Sequence, residues 1–309
     1  MNQEPHIVVL CGALSPEREV SLRSGAACAE ALSKSFAHVR LVRLDDNALP
    51  ADLDPARDVV FPVIHGDYGE DGRIQADLDA RGLHYAGCDA ATSALCIDKP
   101  ATKRRFRDAG VPVCAEIAFT WKRRPRALSV IRRLGREVVM KPADKGSSVG
   151  LYKVSGTREL GRVLSRLPRG EWMIEPRIRG RELTVGILDG KAMGIVEIAP
   201  KSGDYDYRSK YTAGATEYLY PARIPDETAA AIRAAAEKLF AACGCRDFAR
   251  ADVILRPDGR FLFLEVNTIP GLTATSLLPK SASCVGLDFP ALVRRMIDPA
   301  IRRAAARNA

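Results

Sequence analysis

The stretch FLFLEVNTIPGLTATSL, residues Phe261–Leu277, puts an acid, an amide and a glycine turn directly after an apolar strand. Phe261, Leu262, Phe263 and Leu264 have the aromatic and branched composition of a buried strand. Glu265 and Asn267 are two apart, so the pleat turns both side chains to the same side. Upstream, a second strand over Asp247–Leu255 carries Arg250 and Asp252 at that same spacing. As neighbours, the two strands present Asp252, Glu265 and Asn267 together, all hard oxygen ligands. Such a set suits Mg²⁺, which takes few carboxylates and completes its octahedron with water and substrate phosphates. Pro270-Gly271 stiffens the turn that follows, and Arg250 adds an anion clamp beside the acids.

Outward from this pair, strand-like and helical segments alternate along the chain, which predicts an α/β protein rather than a bundle or a sandwich. His6–Cys11 reads as a strand running into Gly12-Ala13-Leu14-Ser15-Pro16-Glu17, where Ser15 and Pro16 suit the cap and start of a helix to about Lys34. Val39–Leu44 and Val59–Ile64 are further strands, the latter ending in His65-Gly66-Asp67-Tyr68-Gly69-Glu70-Asp71-Gly72. Both loops leave the C-terminal ends of strands, where open α/β sheets bind ligands. A first domain spans residues 1–97. Residues 98–180 form a smaller unit, opened by a basic helix Asp98–Ala109 that Gly110 ends. Residues 181–309 form the last domain, with strands Arg181–Leu188 and Ala192–Ile198, a helix Asp226–Cys243, the acid-bearing strands and a closing helix Phe289–Arg303. Inside it the polar loop Pro200–Ala215 has the length of a lid or binding loop.

At 309 residues the chain has room for about two or three compact domains. No stretch approaches the roughly 20 apolar residues of a membrane span, and Met1-Asn2-Gln3-Glu4-Pro5 lacks the pattern of a signal peptide. A cytoplasmic protein with no membrane partner is expected. The eight cysteines, scattered among apolar neighbours apart from the pair Cys243 and Cys245, read as reduced thiols rather than a structural metal site. The net charge of +9 is spread among acids, apart from short runs such as Lys103-Arg104-Arg105. No basic module interleaved with aromatics is present, so nucleic acid is not an expected partner. The excess reads as solvated helix charge plus some lysines for an anionic nucleotide.

The loop from Lys141 to Gly150, KPADKGSSVG, lies between two apparent strands. Gly146 and Gly150 let the backbone turn N–H groups toward an anion, and Lys141 adds a point charge. It is not a Walker sequence, and the chain contains no Gly-x-Gly-x-x-Gly. Lys99 is a candidate second phosphate lysine. Glu175 ends a strand at the junction of two units, the setting of an adenine cleft, and Glu182 is seven residues further on.

The order of these motifs resembles the ATP-grasp superfamily, and within it the D-alanine–D-alanine ligases. The resemblance covers nearly the whole chain. It rests on Ser15-Pro16-Glu17-Arg18-Glu19-Val20-Ser21, the His65–Gly72 loop, Asp98-Lys99, and Lys141-Pro142 with Gly146-Ser147-Ser148-Val149-Gly150. Tyr205-Asp206-Tyr207, Lys210-Tyr211, Arg250-Ala251-Asp252-Val253 and Glu265 through Thr273 complete it. The resemblance implies an ATP-grasp fold: an N-terminal open parallel α/β domain plus two α+β domains clasping ATP.

It also implies roles. Lys99 and Lys141 hold ATP phosphates, Glu175 and Ile178 line the adenine pocket, and Glu182 meets the ribose. Asp252, Glu265 and Asn267 carry two Mg²⁺ ions, with Mn²⁺ as a substitute. Glu17 holds the first D-alanine's ammonium and His65 its carboxylate. Arg250 and the Gly271 N–H stabilise the tetrahedral oxyanion, while Ser276 and Leu277 receive the second amino acid. Lys210 and Tyr211 belong to a closing loop, with Tyr211 linked to Glu17 through Ser147. The implied reaction joins two D-alanines through an acylphosphate for peptidoglycan synthesis, and Tyr211 favours D-alanine over D-lactate as second substrate. The family's common homodimer is implied as well. The alternative is another ATP-grasp carboxylate–amine ligase making a different dipeptide. Two departures stand out: the first turn reads Cys11-Gly12-Ala13-Leu14 in place of paired glycines, and Pro176 follows the adenine-pocket acid, removing a backbone donor.

Overall fold

The computed structural model describes residues 4–146, 150–201 and 214–307. Ser147, Lys210, Tyr211 and most of the long polar loop lie outside the described residues.

The first sheet is built on β1 (His6–Gly12), flanked by β2 (Val39–Leu44) and β3 (Asp58–Pro62), with β4 (His84–Tyr85) beyond β3. All its pairings are parallel, and Ile7 stands opposite Val39 on one side and Val59 on the other. The apolar run IVVLC is buried throughout, as a central parallel strand covered on both faces requires. Helix α1 (Arg18–Leu32) packs on this sheet. It starts later than Ser15 and Pro16 predict. The Ser15 hydroxyl accepts the Glu17 N–H at 2.9 Å, and Glu17 itself is the residue before the helix, with no side-chain cap. The short α2 (Asp67–Glu70), then α3 (Arg73–Ala80) and α4 (Ala90–Ile97), complete this region.

After the single residue Asp98, α5 (Lys99–Asp108) begins, capped by the Asp98 carboxylate, which accepts the Ala101 N–H at 2.9 Å. The second sheet has the order β5 (Ile117–Thr120), β8 (Glu171–Pro176), β6 (Glu137–Pro142), β7 (Tyr152–Ser155), with antiparallel pairings. Helices α6 (Ala127–Leu134) and α7 (Thr157–Ser165) cover one face over a core that includes Val130, Met140, Leu160 and Ile174.

The third sheet is antiparallel, in the order β11 (Thr216–Leu219), β10 (Lys191–Pro200), β9 (Arg181–Leu188), β12 (Phe248–Leu255), β13 (Phe261–Asn267). Helix α8 (Asp226–Ala242) packs on one face through Ile232, Ala236 and Leu239. Helix α9 (Leu277–Ser283) lies on β9 and β10.

The last helix, α10 (Phe289–Arg307), does not stay with that sheet. Its buried stripe Leu292, Val293, Met296, Ile297 and Ala300 joins one core with Ile7, Val9 and Phe61 of the first sheet, Cys28 of α1, and Leu188 and Phe248 of the third sheet. Phe61 and Phe248 meet edge to face with ring centres 6.1 Å apart. A buried polar lock backs this seam. Asp247 accepts the Gly87 N–H at 2.8 Å and both Arg303 nitrogens at 2.8 and 2.7 Å, while Arg303 also donates to the Tyr85 carbonyl at 2.8 Å. The end of β4 is thereby held against the start of β12 and against α10.

Candidate active site

A cavity of about 1140 Å³ opens where the three sheets converge. Every described residue of the expected set lines it: Glu17, His65, Lys99, Lys141, Glu175, Ile178, Glu182, Arg250, Asp252, Glu265, Asn267, Gly271, Ser276 and Leu277.

The acidic wall comes from β12 and β13. Asp252 stands opposite Glu265 and Arg250 opposite Asn267, so the four face the cavity as two cross-strand pairs. An irregularity in register lies between them and the aromatic end. Val253 pairs with Phe263, the next pair is Asp252 with Glu265, and Leu264 is the extra residue. That bulge keeps Phe263 in the core and Val266 buried at the core's edge on the cavity, while Leu264 and Glu265 both line the cavity. Arg250 grips Asp252 with two bonds, Nε to Oδ1 and Nη2 to Oδ2, both 2.9 Å. The Thr184 hydroxyl of β9 donates to Asp252 Oδ1 at 2.6 Å, and Asn267 Oδ1 accepts the Ile269 N–H at 2.9 Å.

Among the described residues, no group of three or more His, Cys, Asp or Glu is disposed to hold a metal ion. The set here has two carboxylates and one amide. That composition fits Mg²⁺ in a site completed by substrate phosphates, since Mg²⁺ seldom takes an all-protein cage. All three donors are oxygens on one side of two paired strands.

The basic wall is built on α5 and β6. Lys99 Nζ lies 3.5 Å from Glu265 Oε2 and donates to the Lys145 carbonyl at 2.7 Å. Lys141 Nζ lies 2.8 Å from Glu175 Oε2. Burial holds the Lys141 ammonium down to about 8; the like charges of Lys99 and Lys103 add to this, and Glu265 opposes it. The Glu175 carboxylate, expected beside an adenine ring, is turned to lysines: Oε2 to Lys141, and Oε1 to Lys103 and the Cys114 thiol. Lys103 is fully buried, whereas Arg104 and Arg105 beside it are exposed. Reading that basic run as solvated charge is therefore wrong for its first member. A signal existed, because Lys99, Lys103 and Phe106 share one face of the helix at spacings of four and three.

The substrate end joins the first sheet to the segment after β13. His65 has a partner at each ring nitrogen: Nδ1–H donates to the Ile269 carbonyl at 3.1 Å, and Nε2 lies 3.3 Å from Ser24 Oγ. Ser24 Oγ also accepts the Leu272 N–H at 3.3 Å. The loop of β3 thus braces the turn that carries Gly271. Next, the Ser276 hydroxyl accepts the Thr273 N–H at 3.0 Å, closing the turn before α9. Seating α9 needs two glycines, Gly186 and Gly194, beneath it. Ser281 receives the Gly186 N–H at 2.9 Å and donates to the Gly194 carbonyl. In the first loop, Gly12 and Ala13 both have positive φ, +91° and +64°, so an alanine holds a left-handed position that favours glycine. Thr184, Ser24, Lys103 and Lys145 were not singled out from sequence. Lys145 pairs with Asp67 across the mouth of the cavity, and no local pattern marks that contact.

Two antiparallel sheets and a parallel one around a shared cavity, with lysines on one wall and carboxylates on the other, define an ATP-grasp architecture. Comparison with known proteins is specific. The C-terminal D-ala D-ala ligase family model matches residues 106–298, and the N-terminal model matches residues 45–88. The chain is 44% identical over 304 residues to the D-alanine–D-alanine ligase of Anaeromyxobacter sp. (strain Fw109-5), covering 96% of this chain and 97% of that protein. It is 39% identical over 308 residues to the D-alanine–D-alanine ligase of Syntrophotalea carbinolica, covering 96% of each. The crystal structure of the D-alanine–D-alanine ligase from Bacillus anthracis complexed with ATP superposes with a TM-score of 0.85 at 29% identity, covering 99% of this chain and 100% of that one. The VanG D-Ala:D-Ser ligase from Enterococcus faecalis superposes at 0.83 and 29% identity, covering 96% of this chain and 100% of that one. The chain belongs to the D-alanine–D-alanine ligase family.

Proposed function

We propose that this chain joins two D-alanine molecules into D-alanyl-D-alanine, converting ATP to ADP and phosphate, for peptidoglycan synthesis. The observation that carries the reading is the meeting, in one cavity, of Lys99 and Lys141 with the cross-strand pairs Asp252–Glu265 and Arg250–Asn267. Lysines on one side and oxygen donors on the other suit a polyphosphate held between them.

In this reading ATP lies with its phosphates toward Lys99 and Lys141, its adenine near Glu175 and Ile178, and its ribose at Glu182. Asp252, Glu265 and Asn267 would hold the Mg²⁺ ions, or Mn²⁺ in their place. What the metal supplies when bound is neutralisation of phosphate oxygens. Glu17 holds the ammonium of the first D-alanine, and His65, braced by Ile269 and Ser24, stands at its carboxylate. That carboxylate takes the γ-phosphoryl group and becomes an acylphosphate. The amine of the second D-alanine, placed by Ser276 and Leu277, attacks the acyl carbon, and phosphate leaves. Arg250 and the Gly271 N–H stabilise the oxyanion of the tetrahedral intermediate. Ser147, Lys210 and Tyr211, which lie outside the described residues, keep in this reading the roles at the first D-alanine that the family resemblance implies.

The same reading divides the chain into a substrate lobe, 1–97, a central lobe, 98–180, and a C-terminal lobe, 181–309. It makes the enzyme a cytoplasmic homodimer. Among the described residues no helix is long and apolar enough to cross a membrane.

Phosphate release from ATP across a panel of D-alanine, D-serine, D-lactate and other D-amino acids tests the proposal. Release with D-alanine alone, and D-alanyl-D-alanine as product, is the expected result. Ligation of a different pair would move the assignment to another dipeptide ligase of the superfamily.

A further inference from the structure

Helix α5 delivers two lysines one turn apart, and only Lys99 reaches the cavity. Lys103 is 0% exposed and touches Glu175 Oε1, with Cys114 Sγ 3.0 Å away. Glu175 is also buried, and its second oxygen faces Lys141, which does line the cavity. One carboxylate therefore serves two ammonium groups, one on each oxygen. A buried ammonium is retained only when something compensates its desolvation, so this trio is a built feature rather than a stray surface contact.

The charge balance gives the arrangement its consequence. With Lys103 in place, the trio presents one net positive charge to the cavity through Lys141. Without it, Glu175 and Lys141 cancel, and the carboxylate is free to close wholly on Lys141. We propose that Lys103 is a positioning residue for ATP: by occupying one oxygen of Glu175 it keeps the Lys141 ammonium available to the phosphates. The inference rests on reading Lys141 as a phosphate lysine.

Calorimetric titration of the full chain with Mg-ATP, beside steady-state kinetics, tests it. Lys103→Met should raise the Kd and KM for ATP about tenfold while the KM for D-alanine stays within about twofold. The double variant Lys103→Met/Glu175→Gln removes both charges, leaves Lys141 unopposed, and should recover about threefold or more of that loss. Where the methionine variant does not fold, Lys103→Gln, which keeps a donor on Glu175 but loses the charge, should weaken ATP binding by about threefold to fivefold. ATP affinity within twofold of wild type in a folded Lys103 variant overturns the proposal. So does a double variant as weak as the single one, or an equal rise in the KM for D-alanine, because either marks a merely structural role. ATP binding needs no amino acid, so a failure to ligate D-alanine leaves this test standing. Failure of the wild-type chain to bind ATP would overturn both this inference and the proposed function.

Discussion

Substituting Gly194 tests how the fold positions the substrate end. A Cβ at Gly194 would stand 2.1 Å from Cys284 Cβ and 3.2 Å from the Ser281 carbonyl oxygen. Carbon atoms pack at about 3.5–4.0 Å, so in Gly194→Ala helix α9 must retreat from β10 by roughly 1.5 Å. That retreat breaks both bonds of the Ser281 hydroxyl, one from the Gly186 N–H and one to the Gly194 carbonyl. Each bond contributes about 1 kcal/mol net, and a buried N–H left without a partner costs about 1–3 kcal/mol more. The total is roughly 3–5 kcal/mol, which for a chain of this length lowers Tm by about 5–8 °C. Gly186→Ala is the control. Its Cβ meets Leu278 Cδ1 and Met193 Cε at 2.6 Å, both ends of flexible side chains, and Ser281 Oγ at 3.0 Å. The expected cost is about 1–2 kcal/mol. Because α9 starts immediately after Ser276, Gly194→Ala should also raise the KM for the second D-alanine about tenfold, with the KM for ATP little changed. Differential scanning fluorimetry and initial-rate kinetics read both effects. A Gly194→Ala protein within about 2 °C of wild-type Tm, or one with a D-alanine KM unmoved, would refute the claim that this glycine seats the helix and the helix places the substrate end.

Three further outcomes are expected. Glu265→Gln should lower turnover at least about a hundredfold with Tm nearly unchanged, and near-wild-type turnover would remove Glu265 from the metal set. For ATP, kcat/KM should hold up to the Lys141 pKa near 8 and fall above it, because raising the pH strips the ammonium of its charge. Lys141→Arg should flatten that alkaline limb, and a wild-type profile level to pH 10 or so would contradict the assignment. Deleting Leu264 should leave a folded protein with residual ligation and a raised KM for ATP. Complete loss of activity in a folded deletion variant would mean that Leu264 is not the extra residue of the strand.

Local patterns carried most of the elements. The apolar run of β1 and the glycine stop at Gly110 sufficed for β1 and α5, to within a residue or two at each end; that Asp98 caps α5 rather than opening it came from the structure. What local patterns could not reach was contact between distant segments. The stripe Leu292, Val293, Met296 and Ile297 announces a buried helix, yet nothing near it says that the burial is against the first sheet rather than the third. Ser15 illustrates a competition between nearby donors. Its hydroxyl is engaged by the Glu17 N–H, two residues on, so the helix starts without a side-chain cap. Lys103 failed for another reason. A basic run is usually solvent-facing, and only the helical spacing to Lys99 and Phe106 sets its first member apart.

The metal strand holds the most instructive case, because its sequence contains a contradiction that has one resolution. Phe261, Phe263, Glu265 and Asn267 alternate, so an unbroken strand would put all four on one face. One face cannot serve both ends: either the carboxylate enters the apolar core unpaired or the phenyl rings enter the polar cavity. Burying an unpaired carboxylate costs far more than one irregular pairing. The alternation must therefore change phase between Phe263 and Glu265, and the only residue between them is Leu264. That is where the register against β12 breaks, with Val253 on Phe263 and Asp252 on Glu265. The bulge brings Val266 back to the core beside Phe263, and it leaves Leu264 lining the cavity beside the acid. A strand that carries aromatic residues and ligand acids at one parity thus predicts both the existence of a bulge and its position, from side-chain chemistry alone.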